Sequence, residues 1–298
     1  MNRPPLDRRA LGLSLNRLAN ASVADVFKFG SGTSTGRPAR RIGLTGPPGA
    51  GKSSLIGRLA QLRAPDRRMG VLAIDPTSPK SGGAILGDRI RMDELTGIED
   101  LYIRSFGSRS ATDGLTDNLP ELLAVMDAHD FDEVMVETVG VGQAEYAIRA
   151  QVDTLILVLL PESGDAIQAM KAGIMEVADI FVINKSDLAG APKMASDIKR
   201  TLAMLHRNAG DRLPPVLLTS SDDTNSIQRL SHEIDRHQAF LEDSGKRNAL
   251  LAERARYRLR QLVERQSRHV IHDLEPAFFD TGLEAQYMSV LDRLKQVD

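Results

Sequence analysis

Apolar residues along this chain follow two different periods. Short continuous aliphatic runs at 41–45, 70–75, 100–104, 133–138, 154–160, 179–184 and 215–220 read as buried strands. Between them the spacing lengthens to the three-to-four-residue repeat of helices. That alternation predicts an α/β fold, a mostly parallel sheet with helices on both faces. Elsewhere the pattern is helical only. Leu6, Leu11, Leu15 and Leu18 fall near one face of a helix over 6–20, and further helices are expected over 226–241, 246–266 and 283–296. The stretch GSGTSTG at 30–36 has the composition of a flexible linker. The chain thus divides into an N-terminal helix and linker (1–39), an α/β domain (40–222) and a C-terminal helical region (223–298), with no internal repeat.

Ligands of open parallel sheets lie beyond the C-terminal ends of the strands. Asp75, Glu137, Asn184 and Ser220 all fall at such ends. The first strand runs directly into Gly46-Pro47-Pro48-Gly49-Ala50-Gly51-Lys52-Ser53-Ser54, a complete G-x-x-x-x-G-K-[ST] phosphate-binding loop followed by a helical run. Its glycines free the backbone to turn several N–H groups toward one anion. Lys52 is placed to reach the outer phosphates, Ser53 to offer a hydroxyl to Mg²⁺, and the helix N-terminus favours negative charge. A bland Gly/Pro turn would not come with a strand before it and a helix behind it. The fold is therefore expected to be that of a P-loop NTPase.

The base is read by a second motif. The apolar run 179–183 ends in Asn184-Lys185-Ser186-Asp187, an N-K-x-D at a strand end. The carboxylate of Asp187 can accept from both the ring N–H and the exocyclic amine of guanine, a pair that adenine does not present. Lys185 can lie along the base, and Asn184 can bond the purine and brace the loop. A carboxylate deprived of its donors is costly, so GTP and GDP are expected over adenine nucleotides.

Composition narrows the class without changing it. With 298 residues, 42% of them hydrophobic, the chain can bury one large core and extensions. The formal net charge of -2 gives no reason to expect nucleic acid or a membrane surface as partner. The absence of cysteine excludes disulfides and thiolate metal sites. No apolar run approaches the roughly 18 residues of a membrane span. Arg3, Arg8, Arg9 and Arg17 give the N-terminus a faint likeness to an organellar presequence, which Asp7 and Asp25 interrupt, and there is no secretory apolar stretch. A cytoplasmic protein is expected.

Between the two nucleotide motifs lie the candidate catalytic and metal residues. Glu137 ends the fourth strand, where an acidic residue helps hold Mg²⁺ and its waters, and Gly140 follows at a place where a backbone N–H can meet the γ-phosphate. Asp75 ends the second strand and opens a Gly/Pro/Ser-rich loop (75–83), and Asp88 stands just beyond it. Ser53, Asp75, Asp88 and Glu137 are the expected metal set, an oxygen site suited to Mg²⁺. Asp88 equally suits a helix cap. Gln143 and Glu145 are candidates to orient water, and Arg104 and Arg109 to stabilise charge. The six histidines fall outside the nucleotide motifs and suit structural roles. In the C-terminal region Arg254, Arg256, Arg258, Arg260 and Arg265 alternate with Leu250, Leu251, Leu259, Leu262 and Val263. That pattern reads as a solvated charged face over an apolar seam.

Four blocks, GPPGAGKSS, DPTSPKSGGAILGDRIRM (75–92), ETVGVGQAE (137–145) and NKSD, together resemble the MeaB/MMAA family of P-loop metallochaperone GTPases. The resemblance covers nearly the whole chain. It implies GTP hydrolysis with catalytic Lys52, Asp75, Asp88 and Glu137, slow alone and stimulated by a partner, and Gln143 joins that catalytic set as the candidate to orient water. That partner would be an adenosylcobalamin-dependent acyl-CoA mutase of methylmalonyl-CoA mutase type, whose cofactor loading the GTPase gates and which it protects or reactivates. It also implies a homodimer through the C-terminal helices, base contacts at Ser220 and Ser221 (where relatives carry Ser-Ala), and a third switch over 161–171 that includes Lys171. No D-x-H-x-x-G cobalamin signature occurs, so cobalamin would belong to the partner. Two other readings stand beside it. A nickel-delivering GTPase would usually show Cys/His sites, and a small-molecule kinase would not need N-K-x-D.

Overall fold

The computed structural model describes residues 3–29, 37–76, 97–108, 115–116, 118–138, 144–161, 174–204 and 212–295. Seven strands, β1 (Arg40–Thr45), β2 (Met69–Pro76), β3 (Leu101–Ser108), β4 (Glu133–Glu137), β5 (Thr154–Leu159), β6 (Ile180–Ile183) and β7 (Val216–Leu218), form one sheet in the order β3-β2-β4-β1-β5-β6-β7. Every pairing is parallel. β1 sits centrally, between β4 and β5, so the loop that leaves it opens at the middle of the sheet's C-terminal edge. All seven strands fall where the apolar runs predict them, and β3 continues past the expected end at 104.

Successive strand residues point to opposite faces, which is why continuous apolar runs build two cores at once. On one face Ile42, Leu44, Val71, Met135, Ile156 and Val158 meet Leu55, Ile56 and Leu59 of α3 (Lys52–Arg63) and Ile227, Leu230 and Ile234 of α7 (Thr224–Asp243). On the other, Leu72, Val134, Val136 and Leu155 meet Leu11, Leu15 and Leu18 of α1 (Arg8–Ala19) and Leu122, Leu123 and Met126 of α4 (Leu119–Ala128). Farther along that face, Leu157, Leu159 and Phe181 pack on Ile198 and Leu202 of α6 (Ala191–Met204). α5 (Ala144–Arg149) closes on β1: a Cβ at Gly43 would meet Ile148, Val152 and Leu155 at 3.1–3.2 Å.

The terminal helices are joined to this core. Asp7 caps α1 through Ala10 N at 2.9 Å. A short helix, α2 (Val23–Phe29), follows, which the hydrophobic pattern does not predict. Seven residues are too few to show a period, but the start carries a capping box: Asp25 N donates to Ser22 Oγ and Ser22 N returns to the Asp25 carboxylate. α8 (Lys246–His272) runs beyond the expected end at 266, and α9 (Leu283–Leu294) follows. Not all the arginines of α8 lie on a solvated face. Arg254 is buried and pairs with Asp153 at 2.8 Å, and Arg258 reaches the buried Glu121 of α4 at 3.1 Å. Burial pulls the Arg254 guanidinium down to about 10, against the attraction of Asp153. No helix among the described residues is long and apolar enough to cross a membrane.

Candidate functional site

The loop between β1 and α3 owes its shape to glycine. Gly46, Gly49 and Gly51 have φ of 143°, 78° and 82°. A Cβ on Gly46 would lie 2.0 Å from the carbonyl oxygen of Val158 in β5, and one on Gly51 2.5 Å from Asn184 Nδ2. Both positions are closed to side chains by conformation and by contact. Lys52 folds back over this loop, donating from Nζ to Gly46 O at 2.8 Å and Pro47 O at 3.1 Å. Pro48 and Gly49 are exposed, and Ala50 is buried. Ser53 and Ser54 occupy the first turn of α3, where peptide N–H groups lack intrahelical partners.

Ser53 Oγ donates to Glu137 Oε1 at 2.7 Å, joining the helix start to the end of β4 in a buried contact. A hydroxyl and a carboxylate side by side at the sheet's C-terminal edge are hard oxygen donors of the kind a Mg²⁺ site uses. Asp75 lies near the end of β2, its backbone in register with Gly107 of β3. Asp88, Gly140, Gln143, Arg109 and residues 162–171 lie outside the described residues. Arg104, expected as a charge stabiliser, serves elsewhere. Its guanidinium bonds Gly12 O at 3.2 Å and Asn16 of α1, and lies over the Phe106 ring. On an edge strand its nearest acceptors are those of the N-terminal helix.

Asn184 leaves β6 1% exposed and faces the phosphate loop. Its Nδ2 donates to Ala50 O at 2.8 Å, while its Oδ1 accepts from Thr219 Oγ1 at 3.0 Å. Ser186 N returns a bond to Thr219 O at 3.0 Å, so the loops after β6 and β7 are tied together. Lys185 has φ of 54°, a left-handed turn that exposes it and Asp187 to solvent. Ser220 is braced by Ser226, which supplies a hydroxyl to its N–H at 3.1 Å and donates to its carbonyl at 3.1 Å; Ser220 and Ser221 are half-buried. Sequence reasoning gives no role to Thr45 or Thr138, and meets Thr219 only as the residue before Ser220 in the base-contact turn. Thr138 Oγ1 donates to Thr45 Oγ1 at 3.0 Å. The only signal for these residues is a threonine ending an otherwise apolar strand run, which is ordinary strand composition.

His237 is buried on α7, bonded to Thr154 Oγ1 at 2.9 Å and 3.4 Å from Asp179, far in sequence from any nucleotide motif. Burial holds its imidazole below the usual range, with Asp179 opposing, which suits a neutral structural residue.

The family model described as methylmalonyl-CoA mutase-associated GTPase MeaB matches residues 16–274. A Pyrococcus horikoshii protein named as a GTPase is 40% identical over 264 residues, 87% of this chain and 81% of that one. The mitochondrial methylmalonic aciduria type A homolog of mouse is 38% identical over 194 residues, 64% of this chain and 47% of its own. GTPase ArgK of Escherichia coli is 37% identical over 210 residues, 69% and 63% respectively. Among solved structures, a LAO/AO transport system kinase superposes with a TM-score of 0.63 at 22% identity, covering 98% of this chain and 100% of that one. HypB from Helicobacter pylori in complex with nickel gives a TM-score of 0.50 at 16% identity, over 80% and 96%. At those identities the two structures show the shared P-loop fold. The relatives and the family model go further: this chain is a GTPase and belongs to the MeaB family of methylmalonyl-CoA mutase-associated GTPases.

Proposed function

We propose that this GTPase is a cytoplasmic chaperone of an adenosylcobalamin-dependent acyl-CoA mutase of methylmalonyl-CoA mutase type. It uses GTP binding and hydrolysis to gate cofactor loading and to protect or reactivate the mutase. The observation that carries the reading is the family match across residues 16–274, joined to a phosphate loop and an N-K-x-D loop bridged by Asn184.

Within the site, the reading assigns the residues as follows. The loop from Gly46 to Ser54 cradles the phosphates, with Lys52, held over the loop by Gly46 O and Pro47 O, reaching the phosphate oxygens. Asp187 reads guanine, Lys185 covers it, and Ser220 and Ser221 border it. Ser53 and Glu137 would hold Mg²⁺, with Asp75 and Asp88 completing an acidic surround. The ion, when bound, neutralises charge on the outer phosphates. Gly140 would contact the γ-phosphate and Gln143 orient water. A homodimer through the C-terminal helices is part of the proposal. It is supported by Leu259 and Val263, exposed four residues apart on α8 with Ile271 eight residues further on, and by Leu283, Tyr287 and Met288 exposed on α9.

The experiment is GTP turnover by the purified protein with Mg²⁺, alone and with an adenosylcobalamin-dependent acyl-CoA mutase from the same source. Lys52→Ala is the blank and ATP the specificity control. Stimulation by the mutase, with GTP only, supports the chaperone reading. Turnover that the mutase leaves unchanged rejects it and leaves a GTPase with another client.

A further inference from the structure

Thr45 closes β1 one residue before Gly46, and Thr138 follows Glu137 at the end of β4. The β1–β4 ladder pairs Leu44 with Glu137, and Thr138 N extends it by donating to Leu44 O at 3.1 Å. Beside that bond, Thr138 Oγ1 donates to Thr45 Oγ1 at 3.0 Å, and the two residues are 1% and 0% exposed. One residue away, Glu137 Oε1 receives the Ser53 hydroxyl at 2.7 Å.

Both threonines are buried: Thr45 follows the buried Leu44, and Thr138 follows the buried carboxylate Glu137. Packing alone would be served by valine, which has the same shape and no polar atom to desolvate. A buried hydroxyl pair instead supplies direction. It sets one separation between the residue that opens the phosphate loop and the residue that follows the carboxylate.

We propose that Thr138 is a positioning residue: its hydroxyl bond to Thr45 pins the end of β4 against the start of the phosphate loop, so that Glu137 stands in register with Ser53. The inference rests on the reading of Ser53 and Glu137 as the Mg²⁺ residues and adds what holds them in place.

The test uses the full chain with Thr138→Val, Thr138→Ser, Thr45→Val and the double valine variant. GTP hydrolysis is measured across a Mg²⁺ titration, and GDP affinity is measured in the presence of a chelator. Thr138→Val is expected to lower kcat about tenfold and to raise the half-saturating Mg²⁺ several-fold, with metal-free GDP affinity within about twofold of wild type. Thr138→Ser keeps the hydroxyl and restores both quantities. Thr45→Val reproduces the defect, and the double variant is no worse than either single one.

An unchanged kcat and Mg²⁺ requirement in Thr138→Val overturns the proposal. So does a loss of metal-free GDP binding equal to the loss of kcat, which marks general damage to the loop. Glu137→Gln checks the underlying reading separately. If that variant hydrolyses GTP with the wild-type Mg²⁺ requirement, the metal reading itself fails. If it is impaired while Thr138→Val is not, only the positioning role fails.

Discussion

The side-chain amide of Asn184 donates to the carbonyl of Ala50 at 2.8 Å, across 134 residues of sequence. The loop expected to read the base and the loop expected to cradle the phosphates are therefore joined by a buried hydrogen bond. Thr219 holds the other end of the same amide, so Asn184 cannot turn away without losing two buried bonds.

Gly51 makes this bridge testable. With φ at 82° and a Cβ position 2.5 Å from Asn184 Nδ2, Gly51→Ala is both strained and in collision. It is expected to weaken GDP binding by about tenfold or more, the equivalent of a lost hydrogen bond plus local strain. Asn184→Ala, which strands Ala50 O, is expected to cost about 1–3 kcal/mol of folding stability and to weaken GDP as well. Titration with a fluorescent GDP analogue and urea unfolding supply the two readouts. Full GDP affinity in both variants would show that the loops act independently.

Asp187 is exposed two residues beyond Lys185, whose φ of 54° turns the loop. Asp187→Ala is therefore expected to leave the fold intact and to collapse the preference of kcat/KM for GTP over ATP by about 10²-fold or more. Competition of GTP turnover by ATP measures it. A variant that still rejects ATP would move base recognition away from this residue.

The buried pair Arg63–Glu133 is predicted to matter for stability. Arg63 Nε and Nη2 meet the two carboxylate oxygens at 2.7 and 2.6 Å, both side chains being 1% exposed, and Nη2 also meets Asp235 at 2.8 Å. Burial alone would lower the Arg63 pKa, but Glu133 and Asp235 outweigh it and the guanidinium stays charged. Glu133→Ala leaves that charge without its main partner and is expected to cost about 3–5 kcal/mol in urea unfolding. Replacing the pair together by Met and Leu is expected to cost less. Equal losses for the single and the double variant would contradict this.

His237 links stability to pH. Its folded-state pKa is depressed, chiefly by burial and further by Arg212 and Arg149, with Asp179 and Asp153 pulling the other way. A histidine held neutral contributes stability that is fully present above its unfolded value of 6.5 and is lost as pH falls from there through the lower folded value. The melting temperature is expected to drop as pH falls below the unfolded value of 6.5, and His237→Gln is expected to remove part of that drop. An identical pH profile in the variant would assign the acid sensitivity to other groups.

Much of this was legible in the chain because it is local. The phosphate loop announces itself since every conformational demand of its turn falls on glycines within six residues, Gly46 to Gly51, and each is met in the structure by a positive φ. Strands buried on both faces write themselves as unbroken apolar runs, as Thr154–Leu159 does. The role of Arg104 is not legible for the opposite reason: its partners, Gly12 and Asn16, lie about ninety residues away, and no spacing rule connects them. Arg254 reads as solvated in the sequence because α8 is charged along its length. Only its packing against Asp153 shows which arginine turns inward.

The α/β class, the family resemblance, and the phosphate-loop and N-K-x-D motifs expected to hold a guanine nucleotide are all written in the chain, since each rests on residues close together. Tertiary structure alone decided that β1 lies between β4 and β5, that Ser53 faces Glu137, that Thr45 meets Thr138 and that Asn184 locks one loop to the other. Those contacts join segments about 80 to 130 residues apart, and the hydrophobic pattern is silent on which strand neighbours which. Strand order is settled by how the helices cover both faces of the sheet, and the site's geometry follows from that order.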